Sequence, residues 1–134
     1  MFGDRRHFRD LLNNSLEGIR SNTLADRLKT LENAGIISRV DDPSHKQKVI
    51  YSLTERGIEL FPLLAQASNW GLKNRPVSPE LGARAKVLAD GGEKLWGEFM
   101  DELREQHLGQ KRSTGRRKLS VRDRMQAEYE KVKR

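Results

Sequence analysis

Apolar residues recur at helical spacing along Ile19 to Ile37, IRSNTLADRLKTLENAGII, where Ile19, Leu24, Leu28 and Leu31 share one side. Gly35 ends this helix, since glycine takes the left-handed conformation of a helix C-terminus at little cost. Ile36 and Ile37 are β-branched and open a strand at once. Opposite the leucines lie Asn22, Thr23, Asp26, Lys29, Thr30 and Asn33, a face of mostly short, hydrogen-bonding side chains. Such a face serves equally as a solvated surface or a binding surface, and the flanking elements must decide.

Ahead of it, HFRDLLNN (7–14) sets Phe8, Leu11 and Leu12 on one side of a short helix flanked by Arg5, Arg6 and Arg9. Asn13, Asn14 and Ser15 break that pattern, and Gly18 lies in the connection to Ile19. Two short helices joined through a glycine-containing turn form a helix-turn-helix signature. Behind the helix, ISRV (37–40) and KVIYSL (48–53) flank the polar DDPSHKQ and read as a β-hairpin. Val49 and Tyr51 alternate with Ile50 and Leu53 less cleanly than in an ideal half-buried strand. His45, Lys46 and Lys48 lie near the hairpin tip. The fold class is therefore mainly α with a small β-hairpin, a winged helix-turn-helix followed by further helices.

Thr54 is a good N-cap for the next helix. One stripe of that helix carries Ile58, Phe61, Ala65 and Leu72, and a second carries Leu60, Leu64 and Ala67. Two apolar stripes require two neighbours, and Pro62 predicts a kink or break near Phe61. Residues 75–79 form a linker. From Glu80 a helix resumes, is interrupted at Gly91-Gly92, and continues with Leu95, Phe99 and Leu103 every four residues beside Trp96 and Met100. Glu98, Asp101, Glu102 and Glu105 form its solvated side. These helices predict a dimer interface of Leu60, Leu64, Trp70, Leu95, Trp96, Phe99 and Leu103. Trp70 and Trp96 suit either packing or the wall of a ligand pocket. Residues 109–118 lack a hydrophobic period and are expected to be mobile. Ser120 and Asp123 resemble a capping box for a short last helix that has Val121, Met125, Tyr129 and Val132 to bury. The domains expected are 1–75, the DNA-binding type of fold; 76–109, amphipathic helices for dimerisation; and 110–134, a basic, partly disordered tail.

Composition narrows the chemistry. Of the net charge of +7 on 134 residues, residues 1–75 carry +3, 76–109 carry −3 and 110–134 carry +7. The basic excess favours nucleic acid or an acidic surface, yet it describes chiefly the tail. With no cysteine there is no disulfide and no Cys-based zinc site. His7, His45 and His107 lack the spacing of a metal site, and no nucleophile–base pattern or phosphate-binding glycine loop occurs, so neither an enzyme nor a cofactor is expected. No apolar run of about 18 residues is present. MFGDRRHFRD lacks a signal-peptide core, which points to the cytoplasm.

The order RRHFRDLL, GIRSNTLADRLKTLENAGIISR, VIYSLTERGIEL and SNWG, from about Gly3 to Gly71, resembles the HxlR-type winged helix-turn-helix transcriptional regulators. MarR-like and PadR-like winged domains are the nearest alternatives. The resemblance implies a bacterial regulator that binds double-stranded DNA as a homodimer, its second helix in the major groove and its wing beside the backbone, with a small-molecule effector unspecified. Three departures stand out. The helix that precedes the RF-type motif in the family falls where Met1 lies, which leaves Phe8, Leu11, Leu28 and Leu31 short of a neighbour. The N-terminal cysteine of the oxidant-sensing members is missing. Arg20 replaces the usual serine, so that Ser21 becomes the expected cap of the second helix.

On DNA, the resemblance implies Asn22, Thr23 and Lys29 near base edges or phosphates and Ser21 at a phosphate on the helix N-terminus. Arg5, Arg6, Arg20 and Arg27 would hold the backbone, and His45, Lys46 and Lys48 would bring the wing to it. Asp26 is expected to pair with Lys29 or Thr30 within the helix. The competing expectation is a protein-interaction module that dimerises through residues 54–108 with a longer relative and binds DNA weakly.

Overall fold

A computed structural model describes residues 1–44, 48–110 and 119–134. Two packing units result, Met1–Ile58 and Glu59–Arg134. The first contains α1 (Phe8–Asn13), α2 (Ser21–Asn33), β1 (Ile37–Asp41), β2 (Val49–Leu53) and α3 (Glu55–Ile58). The second contains α4 (Phe61–Asn74), α5 (Pro79–Leu108) and α6 (Val121–Lys133).

The end of α2 follows from Gly35. Its φ of 75° reverses the chain, the Gly35 N–H donates to the Glu32 carbonyl and the Ile36 N–H donates to the Leu31 carbonyl, both at 3.0 Å. This pair of bonds satisfies carbonyls that the helix leaves without partners. Arg56 of α3 donates to the Ala34 carbonyl at 3.0 Å and adds a cation where the helix dipole is negative. Thr54 closes the same joint: its Oγ1 accepts from the Gly57 N–H at 3.2 Å, as expected of an N-cap, and donates to the Gly35 carbonyl at 2.5 Å, while its N–H donates to the Ile36 carbonyl at 3.1 Å. The start of α2 differs from expectation. Arg20, extended at φ −78° and ψ 151°, occupies the N-cap position without a side-chain cap, and Ser21 is already the first helical residue.

β1 and β2 pair antiparallel, from Ile37 opposite Leu53 to Asp41 opposite Val49. Leu24, Leu28, Ile37, Tyr51, Leu53 and Ile58 are buried. Leu28 is therefore covered, contrary to the expected gap, whereas Leu31 is 38% exposed and Phe8 and Leu11 are half-exposed. The irregular alternation of β2 has a cause in Ser52, which is buried although it is polar. Its hydroxyl accepts from the Arg6 guanidinium.

In the second unit Pro62 marks a true break. α3 stops at Ile58 and α4 starts at Phe61, which puts Pro62 in the first turn, where its missing N–H removes no helical bond. α5 is interrupted as Gly91-Gly92 foretold: Gly92 has φ 61° and ψ −162°. Leu88, Leu95, Trp96, Phe99 and Leu103 of α5 are buried together with Phe61 and Ala65 of α4 and Val121 of α6. The Phe61 and Phe99 rings lie 4.6 Å apart and tilted by 60°. The last helix forms as expected, with Ser120 Oγ accepting from the Asp123 N–H at 3.0 Å. Its first turn also meets α5, because the Val121 N–H donates to the Glu102 carboxylate. Glu102 thus caps α6 and does not belong to a uniformly solvated acidic side. Val121 is buried while Val132 is exposed, so the packed part of α6 is its N-terminal part. Tyr129 lies under the Arg84 guanidinium, 5.1 Å from the ring centre, with the Lys133 ammonium at 5.6 Å.

Candidate nucleic-acid interface

α2 buries Leu24 and Leu28, and the remaining positions follow from 100° per residue. Ser21, Asn22, Asp26, Lys29, Thr30 and Asn33 are exposed and Thr23 is half-exposed. The face singled out in the sequence is therefore presented to solvent. The Asn22 carboxamide oxygen accepts from the Thr23 N–H at 2.9 Å, and its amino group is a potential donor on this exposed face. Asp26 does not use its carboxylate on Thr30. The Thr30 hydroxyl donates instead to the Asp26 main-chain carbonyl at 3.0 Å, a bond that competes with none of the acidic oxygens. Arg20 is exposed beside the helix start, and Arg27 pairs loosely with Glu17 at 3.7 Å, both partners being solvated.

The two N-terminal arginines part company. Arg5 is exposed and donates from Nη1 to the Asn14 carbonyl at 3.1 Å. Arg6 is turned onto β2: Nε donates to the Tyr51 carbonyl at 3.1 Å, Nη2 donates to the Ser52 hydroxyl, and the Arg6 carbonyl accepts from the Tyr51 N–H at 2.8 Å. Arg6, half-exposed, is held against β2 by these bonds. In the register of the hairpin, Tyr51 faces Arg39, and its N–H and carbonyl point away from β1. Arg6 satisfies both.

The root of the wing is built on Asp42. Its N–H donates to the Lys48 carbonyl at 2.9 Å, one rung beyond Asp41–Val49. Oδ1 accepts from the Ser44 N–H at 2.9 Å and from the Ser44 hydroxyl at 2.6 Å, an Asx-type turn through Pro43. Oδ2 lies 3.0 Å from His7 Nε2. The bond from the Ser44 hydroxyl, then the bond to His7, hold the Asp42 carboxyl down at about 2. Sequence reasoning named neither Asp42 nor Ser44. Asp-Pro-Ser was a usable turn signal, but its partner His7 lies 35 residues away. Lys48 is exposed at the foot of β2, whereas His45 and Lys46 lie outside the described residues.

The second unit divides the residues expected at a dimer interface. Leu64 is 44% and Trp70 61% exposed, and Leu60 is half-exposed. Leu95, Trp96, Phe99 and Leu103 are buried by this chain's own helices, with Leu103 wholly inaccessible. Their stripe is used within the protomer, so they are not an exposed surface. Beside it, Pro62, Leu63, Trp96 and Met100 help line an open groove of about 380 Å³ between α4 and α5, which Trp70 does not enter. Among the described residues no group of three His, Cys, Asp or Glu is arranged to hold a metal, and no helix is long and apolar enough to cross a membrane.

A helix pair followed by an antiparallel hairpin, with the polar side of the second helix in solvent, defines a winged helix-turn-helix protein. The chain belongs to the HxlR-like helix-turn-helix family, whose sequence model matches residues 1–79. It is similar to an uncharacterised HTH-type transcriptional regulator of Halalkalibacterium halodurans, 42% identical over 40% of this chain and 47% of the relative. It is also similar to the putative regulatory protein MalR of Fusobacterium mortiferum, 38% identical over 47% of this chain and 59% of the relative. A third relative is the uncharacterised HTH-type transcriptional regulator YvaP of Bacillus subtilis, 36% identical over 42% of this chain and 52% of the relative. The chain thus spans about half the length of the curated relatives it matches. No solved structure matches it.

Proposed function

We propose that this protein is a sequence-specific, DNA-binding transcriptional regulator that acts as a homodimer on a roughly palindromic operator. The observation that carries the reading is the solvent-facing side of α2, with Asn22 and Lys29 exposed in a chain of this family. In this reading Asn22, Thr23 and Lys29 reach base edges in the major groove, and Ser21 meets a phosphate. Arg5, Arg20 and Arg27 hold the backbone, and Lys48 with His45 and Lys46 brings the wing to it. Between Ile19 and Ile37 the chain carries Arg20, Arg27 and Lys29 against Asp26 and Glu32, so α2 is only slightly basic. Affinity then comes largely from other cations, and α2 contributes mainly discrimination. Leu64 and Trp70, exposed on α4, support a second copy as the dimer partner. A two-fold pair would set the two α2 helices about 34 Å apart, on successive major grooves.

The test begins with a duplex enriched by the protein from a random-sequence pool. It is titrated against a scrambled duplex at two salt concentrations. Tighter binding to the enriched duplex, falling steeply with salt, is the expected result. Equal affinities would leave only non-specific attraction. The same exposed Leu64 and Trp70 favour a second reading, a module that pairs with a longer relative and binds DNA weakly. Deleting residues 110–134 separates the two: discrimination that survives assigns reading to the winged unit, while complete loss of binding assigns it to the tail.

A further inference from the structure

We propose that His7 is a positioning residue that ties the segment before α1 to the root of the wing through Asp42, and so sets the orientation in which the wing meets DNA. The inference rests on the DNA-binding reading above, but its structural half stands apart from it. Asp42 divides its two oxygens between two tasks. Oδ1 is taken by the N–H and hydroxyl of Ser44, which shape the turn, while Oδ2 faces His7 Nε2 at 3.0 Å. A carboxylate only accepts, so Nε2 carries the proton in this bond. The Asp42 side chain is 9% exposed, which shields the contact more than an ordinary surface pair.

The His7 backbone is itself fixed by α1: its carbonyl accepts from the Leu11 N–H at 3.0 Å, as the N-cap residue must. The other ring nitrogen, Nδ1, lies 3.7 Å from the Asp10 carboxylate, beyond hydrogen-bond distance. The adjacent Arg6 is bonded to Tyr51 and Ser52 in the middle of β2. Residues 6 and 7 therefore grip the hairpin at two separated points, its middle and its root. A two-stranded hairpin is weakly held by its own ladder. Contacts from outside must then limit how far the root swings.

The full chain is compared with His7→Ala, His7→Gln and Asp42→Ala. Amide hydrogen exchange, measured without DNA, reads the Asp42 N–H that bonds Lys48. Affinities for the enriched and scrambled duplexes read the consequence. In His7→Ala the Asp42 amide is expected to exchange about three- to tenfold faster, and preference for the enriched duplex to drop by a similar factor, the scale of the net contribution of one hydrogen bond. His7→Gln retains a side-chain donor and is expected to restore most of both. His7→Ala combined with Asp42→Ala should lose little more than Asp42→Ala alone. Unchanged exchange in His7→Ala overturns the tie. Faster exchange with undiminished preference overturns its role in orienting the wing, and so does failure of His7→Gln to restore preference. A wild-type chain that enriches no sequence overturns the DNA half, while the exchange measurement still passes or fails the tie.

Discussion

The Trp96 indole donates from Nε1 to the Leu88 carbonyl at 2.7 Å, spanning the break that Gly92 makes in α5. Trp96 thereby adds a buried donor to the turn that precedes the break. Trp96→Phe keeps an aromatic ring but removes that donor. It is expected to destabilise the fold by about 0.5–1.5 kcal/mol, read as a lower denaturant midpoint by circular dichroism. Helix content in the absence of denaturant should be unchanged.

Gly35→Ala tests the left-handed turn after α2. The nearest atom to an added Cβ would be Arg56 Nη1 at 3.5 Å, an ordinary contact, so the penalty is conformational and not steric. A loss of about 1–2 kcal/mol is expected, measured by thermal or denaturant unfolding. A stabilised variant would contradict the turn.

Acid should loosen the wing root at an unusually low pH. The Asp42 carboxyl is held at about 2 against an ordinary 3.8. A lowered value in the folded state means stabilisation that is complete above the unfolded value and is lost as pH falls through the folded one. The contribution therefore persists to about pH 4 and disappears toward pH 2. A carbon-detected titration of the Asp42 carboxyl checks this. Ser44→Ala removes the largest cause and should move the midpoint upward.

Asn22→Ala and Arg6→Ala should fail in different ways. Losing Asn22 is expected to cost about 1–3 kcal/mol of discrimination between the enriched and scrambled duplexes, with stability unaltered. Losing Arg6 should instead lower stability, because the buried Ser52 hydroxyl and the Tyr51 carbonyl lose their donors. Parallel titration and unfolding of both variants decide the point.

Legibility in the sequence tracked the range of the interaction. Gly35, Thr54, Pro62, Gly92 and Ser120 act through their own backbone and immediate neighbours, and each marks its boundary where the residue type predicts it. The polar side of α2 was equally readable, being fixed by helical period. Position 20 misled because the cap was assigned by residue preference, and Arg20 takes the extended cap conformation without a capping side chain. Leu95, Trp96, Phe99 and Leu103 were visible as an apolar stripe, but a stripe does not say what covers it. Here the chain's own helices do. The bonds of Arg6 to β2 and of His7 to Asp42 join positions 45 and 35 residues apart, respectively, and no local pattern encodes them.

The Arg6–Tyr51 pairing bears on how copies of this chain avoid one another. A strand with unpaired N–H and carbonyl groups along one side invites a foreign strand to add there. The outward amide and carbonyl of Tyr51 are already occupied by Arg6. Along β1, the exposed Arg39 and Asp41 put charges of both signs where an incoming chain would have to lie. The hairpin is therefore guarded on both margins against cross-chain sheet growth. Arg6→Ala would free the Tyr51 carbonyl but leave its N–H on the main-chain carbonyl of residue 6, so this margin of β2 would be half opened along with the loss of stability.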